Sequence, residues 1–168
     1  MKIFLLGKGK VGTAFSKHLK KKEIPFTQCR NAEFAKRTGL IFVAVSDDVT
    51  VTVLRKIREK NPEIHIVHFS ASADFRDEKT FLLHPYSSIF ADTDVSKILF
   101  TLWGGKNRTV QIVLESSGIR FVKAGTAPTL LYHASAVISG NFTQYFFLAA
   151  LEMLEKEAYE KRISPSEL

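Results

Sequence analysis

Three glycines near the start of the chain, Gly7, Gly9 and Gly12, constrain the fold more than any other feature. They follow Ile3-Phe4-Leu5-Leu6, a fully apolar run of the kind buried on both faces of a parallel sheet. Beyond them, stretch 11–22 places Val11, Ala14, Phe15 and Leu19 on one helical face, and Pro25 stops it. A Gly-x-Gly-x-x-Gly turn between strand and helix gives each glycine a separate task. Gly7 makes the tight turn, Gly9 lets the backbone approach a pyrophosphate, and Gly12 lets the helix pack closely on the strand. The helix N-terminus then presents free N–H groups and positive partial charge to the phosphates. Alone the pattern is weak. Inside a strand–turn–helix unit it predicts that Gly7, Lys8, Gly9, Lys10, Val11 and Gly12 hold a dinucleotide.

The end of the second strand selects between dinucleotides. An NAD site carries Asp or Glu there, about 20 residues after the turn, to hold the ribose 2′-hydroxyl. This chain has Gln28-Cys29-Arg30-Asn31 and no carboxylate before Glu33. The planar guanidinium of Arg30 pairs with a 2′-phosphate, with Asn31, Lys8 and Lys36 in reach to assist. NADP is therefore expected ahead of NAD. The competing assignment leaves Arg30 a solvated loop charge and gives the ribose to Glu33.

The rest of the chain repeats strand and helix. Stretches 26–29, 40–45, 64–69, 99–102 and 119–122 read as strands. Stretches 49–60 and 106–116 read as helices, the first capped by Asp47 or Asp48 and the second ended by Gly118. The expected fold is α/β, a Rossmann-type doubly wound parallel sheet followed by a long C-terminal helix. Residues 1–126 form the dinucleotide-binding domain and 127–168 the helix.

In such sheets ligands sit beyond the carboxyl ends of the strands. Val45-Ser46-Asp47-Asp48, Phe69-Ser70-Ala71-Ser72 and Thr101-Leu102-Trp103-Gly104 fall at strand ends, and His84-Pro85 in a loop. Val45, Ser46, Asp47 and Ser70 join the cofactor-binding set. Ser70 has no activating partner in sequence and is not read as a nucleophile. His84 and His133 are the candidates for proton transfer, since an imidazole titrates near neutrality. His18 is expected to be solvated among lysines; His65 and His68 belong to a strand.

The C-terminal helix carries Phe142-Thr143-Gln144-Tyr145-Phe146-Phe147-Leu148, apolar nearly all the way round. A helix of that kind needs cover on several sides. The sheet covers one, and a second copy covers the rest in an expected homodimer. His133, Gly140 and Gln144 share a stripe on it, with Asn141 to one side.

Composition narrows the partners. The net charge is +7, which suits anionic partners. Its densest cluster, Lys17 and Lys20–Lys22, falls in the last turn of a helix, where cations complement the dipole. No aromatic platform or nucleic-acid motif accompanies it, so nucleic acid is not the expected partner. No apolar run reaches the roughly 20 residues of a membrane span, and no secretory signal opens the chain; a cytoplasmic location follows by default. A single cysteine, Cys29, excludes a cysteine-based metal cage and fits a small buried hydrophobe. No metal is expected.

The segments GKGKVG, the arginine after the second strand, VSDDV, VHFSAS, LHPYSSIF and YHASAVISGNF occur in that order. Together they resemble an uncharacterised family of Rossmann-type proteins. That family is related to ketopantoate reductase and pyrroline-5-carboxylate reductase, with a 6-phosphogluconate-dehydrogenase-like C-terminal part. The resemblance implies an NADP-binding domain, a helical dimerisation domain and a small-molecule site in the cleft. It implies cofactor contacts from Gly7, Gly9, Gly12, Arg30 and Ser46-Asp47-Asp48. Ser70, His84, Tyr132, His133 and Asn141 would line the substrate side.

The chain departs from that family in having one C-terminal helix instead of several and Ser70-Ala71 where relatives have Ser-Gly. A short strand of relatives between 30 and 39 is expected to be missing. The expected activity is NADP-dependent transfer of hydride to a carbonyl- or imine-containing small molecule. His84 or His133 moves the proton and Asn141 orients the substrate. The alternative is a dimeric NADP-binding sensor or interaction protein without turnover.

Overall fold

The computed structural model describes residues 1–29, 39–105, 107–125, 128 and 130–161. It comprises two compact units, Met1–Thr129 and Leu130–Leu168.

The first unit is a seven-stranded sheet of Rossmann type. Its strands are β1 (Ile3–Leu6), β2 (Thr27–Cys29), β3 (Leu40–Val43), β4 (His65–His68), β5 (Thr80–Pro85), β6 (Leu99–Gly104) and β7 (Arg120–Lys123). Their spatial order is β2-β1-β3-β4-β5-β6-β7. Helices α1 (Lys10–Lys21), α2 (Asp47–Lys60) and α3 (Arg108–Ser116) connect them. The order reverses beside β1, since β2 lies on one side of it and β3 on the other. A crevice opens at such a reversal, and the glycine turn lies at the carboxyl end of β1.

Side chains alternate across the sheet and so build two cores. On the first face Leu5, Phe42, Val67, Phe81, Leu83 and Phe100 meet Phe15 and Leu19 of α1 and Val110 and Leu114 of α3. Phe15 is fully buried, its ring centroid 4.6 Å from that of Phe69 and 5.6 Å from that of Phe42. On the second face Phe4, Leu6, Ile41, Val43 and Ile66 meet Leu54 and Ile57 of α2, and Cys29 is buried there as expected.

Three sequence expectations need correction. The sheet is not wholly parallel, because β6 runs antiparallel to β5 and carries β7 with it. The carboxyl end of β6 therefore faces the opposite edge from those of β1, β3, β4 and β5, and Trp103-Gly104 leaves the edge at which those strands end. His84-Pro85 is not in a loop; both close strand β5, which its mixed composition had hidden. His18 is not solvated. It is 3% exposed, and Nε2 lies 2.7 Å from the Ser117 carbonyl that ends α3. Burial lowers its pKa, opposed by that carbonyl.

The second unit is helical, in three consecutive stretches: α4 (Leu130–Ala136), a π-helical stretch Val137–Phe142, and α5 (Thr143–Lys161). The expected long helix is present, but the wider π turn breaks its regular period. The stripe through His133, Gly140 and Gln144 rested on that period and does not carry through unchanged. On α5, Tyr145, Phe146, Phe147 and Leu148 are each more than half exposed.

Candidate nucleotide-binding site

The glycine turn has the form that its sequence requires. Gly7 adopts φ 111°, and a Cβ there would stand 2.0 Å from the Ala44 carbonyl oxygen. Only glycine suits that turn. A Cβ on Gly12 would stand 2.5 Å from the Gly7 carbonyl oxygen, so α1 packs directly on the turn. Gly9 differs from both: nothing lies within 4 Å of a Cβ placed on it. Two glycines let the protein close on itself, and the third leaves open space where a ligand can approach the protein backbone.

The electrostatics of the turn point the same way. Gly9 is the N-cap of α1 and supplies no side-chain cap, and the first turn contains no acidic residue. The unpaired N–H groups of a helix start and the positive end of its dipole are left for an external anion. Lys8 and Lys10 are exposed beside them. Lys10 Nζ lies 5.4 Å from the centroid of the Phe90 ring, a cation–π contact.

Two supporting residues escape sequence reading. Gln28 Nε2 donates to the Gly7 carbonyl at 2.7 Å, and Thr13 Oγ1 donates to the Lys8 carbonyl at 3.1 Å. These bonds fix the turn from the edge strand and from the helix. Gln28 lies in the middle of β2, and its tie to the turn had no sequence signal because 21 residues separate the two.

The neighbouring strand ends complete this edge. Val45 is half-buried and Ser46 and Asp47 are exposed, directly after the Ala44 that abuts Gly7. Ser46, not Asp47 or Asp48, is the N-cap of α2, and its side chain makes no capping bond. The two aspartates lie in the first turn, where they complement the dipole. Ser70, 5% exposed, follows β4, and its Oγ lies 3.1 Å from Ser72 Oγ. His84 stands on β5 two residues past the Leu82 that pairs with His68, and it pairs with Thr101 on β6.

Lys8, Gly9, Val45, Ser46, Asp47, Ser70 and His84 thus belong to one unit and to the carboxyl edge of its parallel strands. Arg30, Asn31, Glu33 and Lys36 lie outside the described residues, as does most of the connection where a strand was expected to be missing. His133 and Asn141 fall in the helical unit, and their side chains too lie outside the described residues. Tyr132 is half-buried there. Among the described residues no cluster of three or more His, Cys, Asp or Glu is disposed to hold a metal, and no helix is long and apolar enough to cross a membrane.

No family model matches the chain, and no curated protein does. Solved structures do. A protein described as an NADP oxidoreductase from Bacteroides fragilis superposes with TM-score 0.69 at 18% identity, covering 93% of this chain and 73% of that one. Pyrroline carboxylate reductase from Plasmodium falciparum, with NADP bound, gives 0.68 at 16% identity over 95% and 70% of the two chains. A reductive aminase from Aspergillus terreus, in complex with NADPH, gives 0.67 at 12% over 99% and 68%. Other matching structures hold NAD+. At these identities the likeness establishes the fold.

Proposed function

We propose that this chain is an NADP-dependent reductase acting on a carbonyl- or imine-containing small molecule. The observation that carries the reading is the uncapped start of α1, where Gly9 leaves open space and no acid opposes an anion. A bound nicotinamide supplies the hydride, and the protein supplies placement. Gly7, Gly9 and Gly12 shape the pyrophosphate cradle, Lys8 and Lys10 add positive charge, and Arg30 with Asn31 selects the 2′-phosphate. Val45, Ser46, Asp47 and Ser70 flank the nucleotide along the strand ends. His84 or His133 gives or takes the substrate proton, and Asn141 orients the substrate. The NADP- and NADPH-bound structures of the same fold support the cofactor choice.

The same reading includes a homodimer in which α5 pairs with its counterpart in a second copy. Its support is the exposure of Tyr145, Phe146 and Phe147, at 67, 67 and 65%. Light scattering at micromolar concentration is expected to give twice the 18.9 kDa chain mass.

Calorimetric titration with NADPH and NADH tests the nucleotide. NADPH is expected to bind tighter, and Arg30→Ala is expected to abolish the preference. Gly9→Asp separates binding from folding. Asp is a good N-cap, so helix stability holds or rises by a few tenths of a kcal/mol. Its charge occupies the anion's place, and affinity falls about a hundredfold. Undiminished NADPH binding by Gly9→Asp would overturn the cradle. Binding without NADPH consumption over a panel of keto acids, aldehydes and imines would assign the chain to the non-catalytic sensor class.

A further inference from the structure

The second face of the sheet is built unevenly, and the unevenness makes a cavity. A right-handed crossover from β4 to β5 ordinarily lays a helix on that face, as α2 does between β3 and β4. Here residues 69–79 contain no helix. An irregular strap crosses the face and borders a partly open cavity of about 710 Å³, a volume in the range of small-molecule sites.

The strap is held in place. Arg58 of α2 donates to Asp77 through Nε at 2.9 Å and Nη2 at 3.1 Å, and to Thr80 Oγ1 at 3.2 Å. Its Nη1 donates to the Ile64 carbonyl at 2.8 Å. A bidentate guanidinium fixes both position and orientation. The roof of the cavity is therefore part of the architecture.

The lining has three kinds of surface. Leu82, Trp103 and Phe75 give an apolar wall on the row His68–Leu82–Trp103 set by strand register. At the inner end lies His68, 2% exposed, whose Nδ1 has no hydrogen-bond partner among the described residues. At the rim stand Asp74 and Glu78, both exposed, and Arg76 is the one cation among the described lining residues. Asp77 is already neutralised by Arg58. Arg76 reaches Asp74 only at 3.7 Å, with both side chains well solvated. A chain of net charge +7 thus carries a locally acidic mouth over an apolar cavity.

We propose that this cavity is a binding site for a small arylalkyl amine, separate from the nucleotide cradle. The ring fills the space beside Leu82, Phe75 and Trp103, and the ammonium group stays at the Asp74–Glu78 rim. The site shares none of the residues assigned to the cradle, so it stands or falls independently of the proposed reductase.

Trp103 is the chain's one tryptophan, and it lines the cavity. Its fluorescence is a direct reporter. The full chain is titrated with 2-phenylethylamine, 3-phenylpropionate and methylamine. The amine with a ring is expected to shift Trp103 emission saturably. The carboxylate should bind at least about tenfold more weakly, by the sign of the rim charge, and methylamine should leave the emission unchanged.

Gly125 lines the cavity, and Gly125→Phe is the variant chosen to crowd it. A Cβ at Gly125 meets nothing within 4 Å, so the ring enters open space. The variant is expected to lose the response with an unchanged circular dichroism spectrum. Asp74→Asn with Glu78→Gln, both on exposed side chains, should weaken the amine several-fold and leave the fold intact even if Gly125→Phe does not fold. Three results overturn the proposal: no saturable response in the native chain, equal binding of the acid, or full binding by the double variant.

Discussion

Phe4, Phe15, Phe42, Phe81 and Phe100 are each at most 2% exposed in the first unit, whereas Phe142, Phe146 and Phe147 of the second are 52, 67 and 65% exposed. One residue type meets two fates within one chain. A sheet offers two broad faces, and helices on each seal whatever side chains alternate onto them. A single helix that is apolar around its circumference has no surface of its own wide enough to bury it. Those five rings of the first unit are a term in stability, and the three of the second are exposed apolar surface.

Substitutions sharpen that contrast. The largest effect belongs to Phe15→Ala, which opens a cavity among Phe42, Phe69 and Phe100. It should cost about 3–5 kcal/mol in urea denaturation. A cost below about 1 kcal/mol would mean that the aromatic cluster is not the packed centre of the unit.

Next comes pH. Burial lowers the pKa of His68 to about 4, against the partial opposition of the Ser70 backbone and the Asp47 carboxylate. The unfolded imidazole takes a proton near 6.5, so the unfolded chain binds more protons between 6.5 and about 4. The contribution of neutral His68 is complete above that window and is lost as pH falls through it, by up to about 3 kcal/mol. His18 and His65 are lowered as well, with burial the largest cause, and add in the same direction. Urea midpoints at neutral pH and at the foot of the window should differ accordingly, and His68→Leu should remove most of the difference. A flat profile in the native chain would contradict the buried neutral imidazole.

The smallest effect on stability belongs to Phe146→Ala with Phe147→Ala. Well-exposed positions change protomer stability by about half a kcal/mol or less. The pair should nevertheless lower the scattering mass from dimer to protomer. A fall in the unfolding midpoint as large as that of Phe15→Ala would mean that these rings are core after all.

Much of the fold was legible because short-range rules governed it. The apolar runs at 3–6 and 40–45, the end of α1 ahead of Pro25 and Gly118 beyond α3, at φ 68°, each reflect rules that act within a few residues. The glycine turn was legible for the same reason, since its spacing is its geometry. Strand β5 was not, because Thr80, His84 and Pro85 suit a loop as well as a strand until β4 and β6 pair with both edges. His18 was misplaced because its lysine neighbours occupy the solvent side of α1, while its own side chain turns toward the end of α3, 99 residues away.

By itself, then, the amino-acid order determined the strand–turn–helix unit, the alternation of elements and a C-terminal helix apolar over much of its surface. Each follows from φ preferences, side-chain period and burial within one segment. Only the tertiary structure decided the reversed direction of β6 and β7, the Arg58 clamp on the helix-free strap and the acidic mouth that it roofs. Those depend on which segments become neighbours, and pairing across a sheet brings together groups whose separation along the chain carries no local signal.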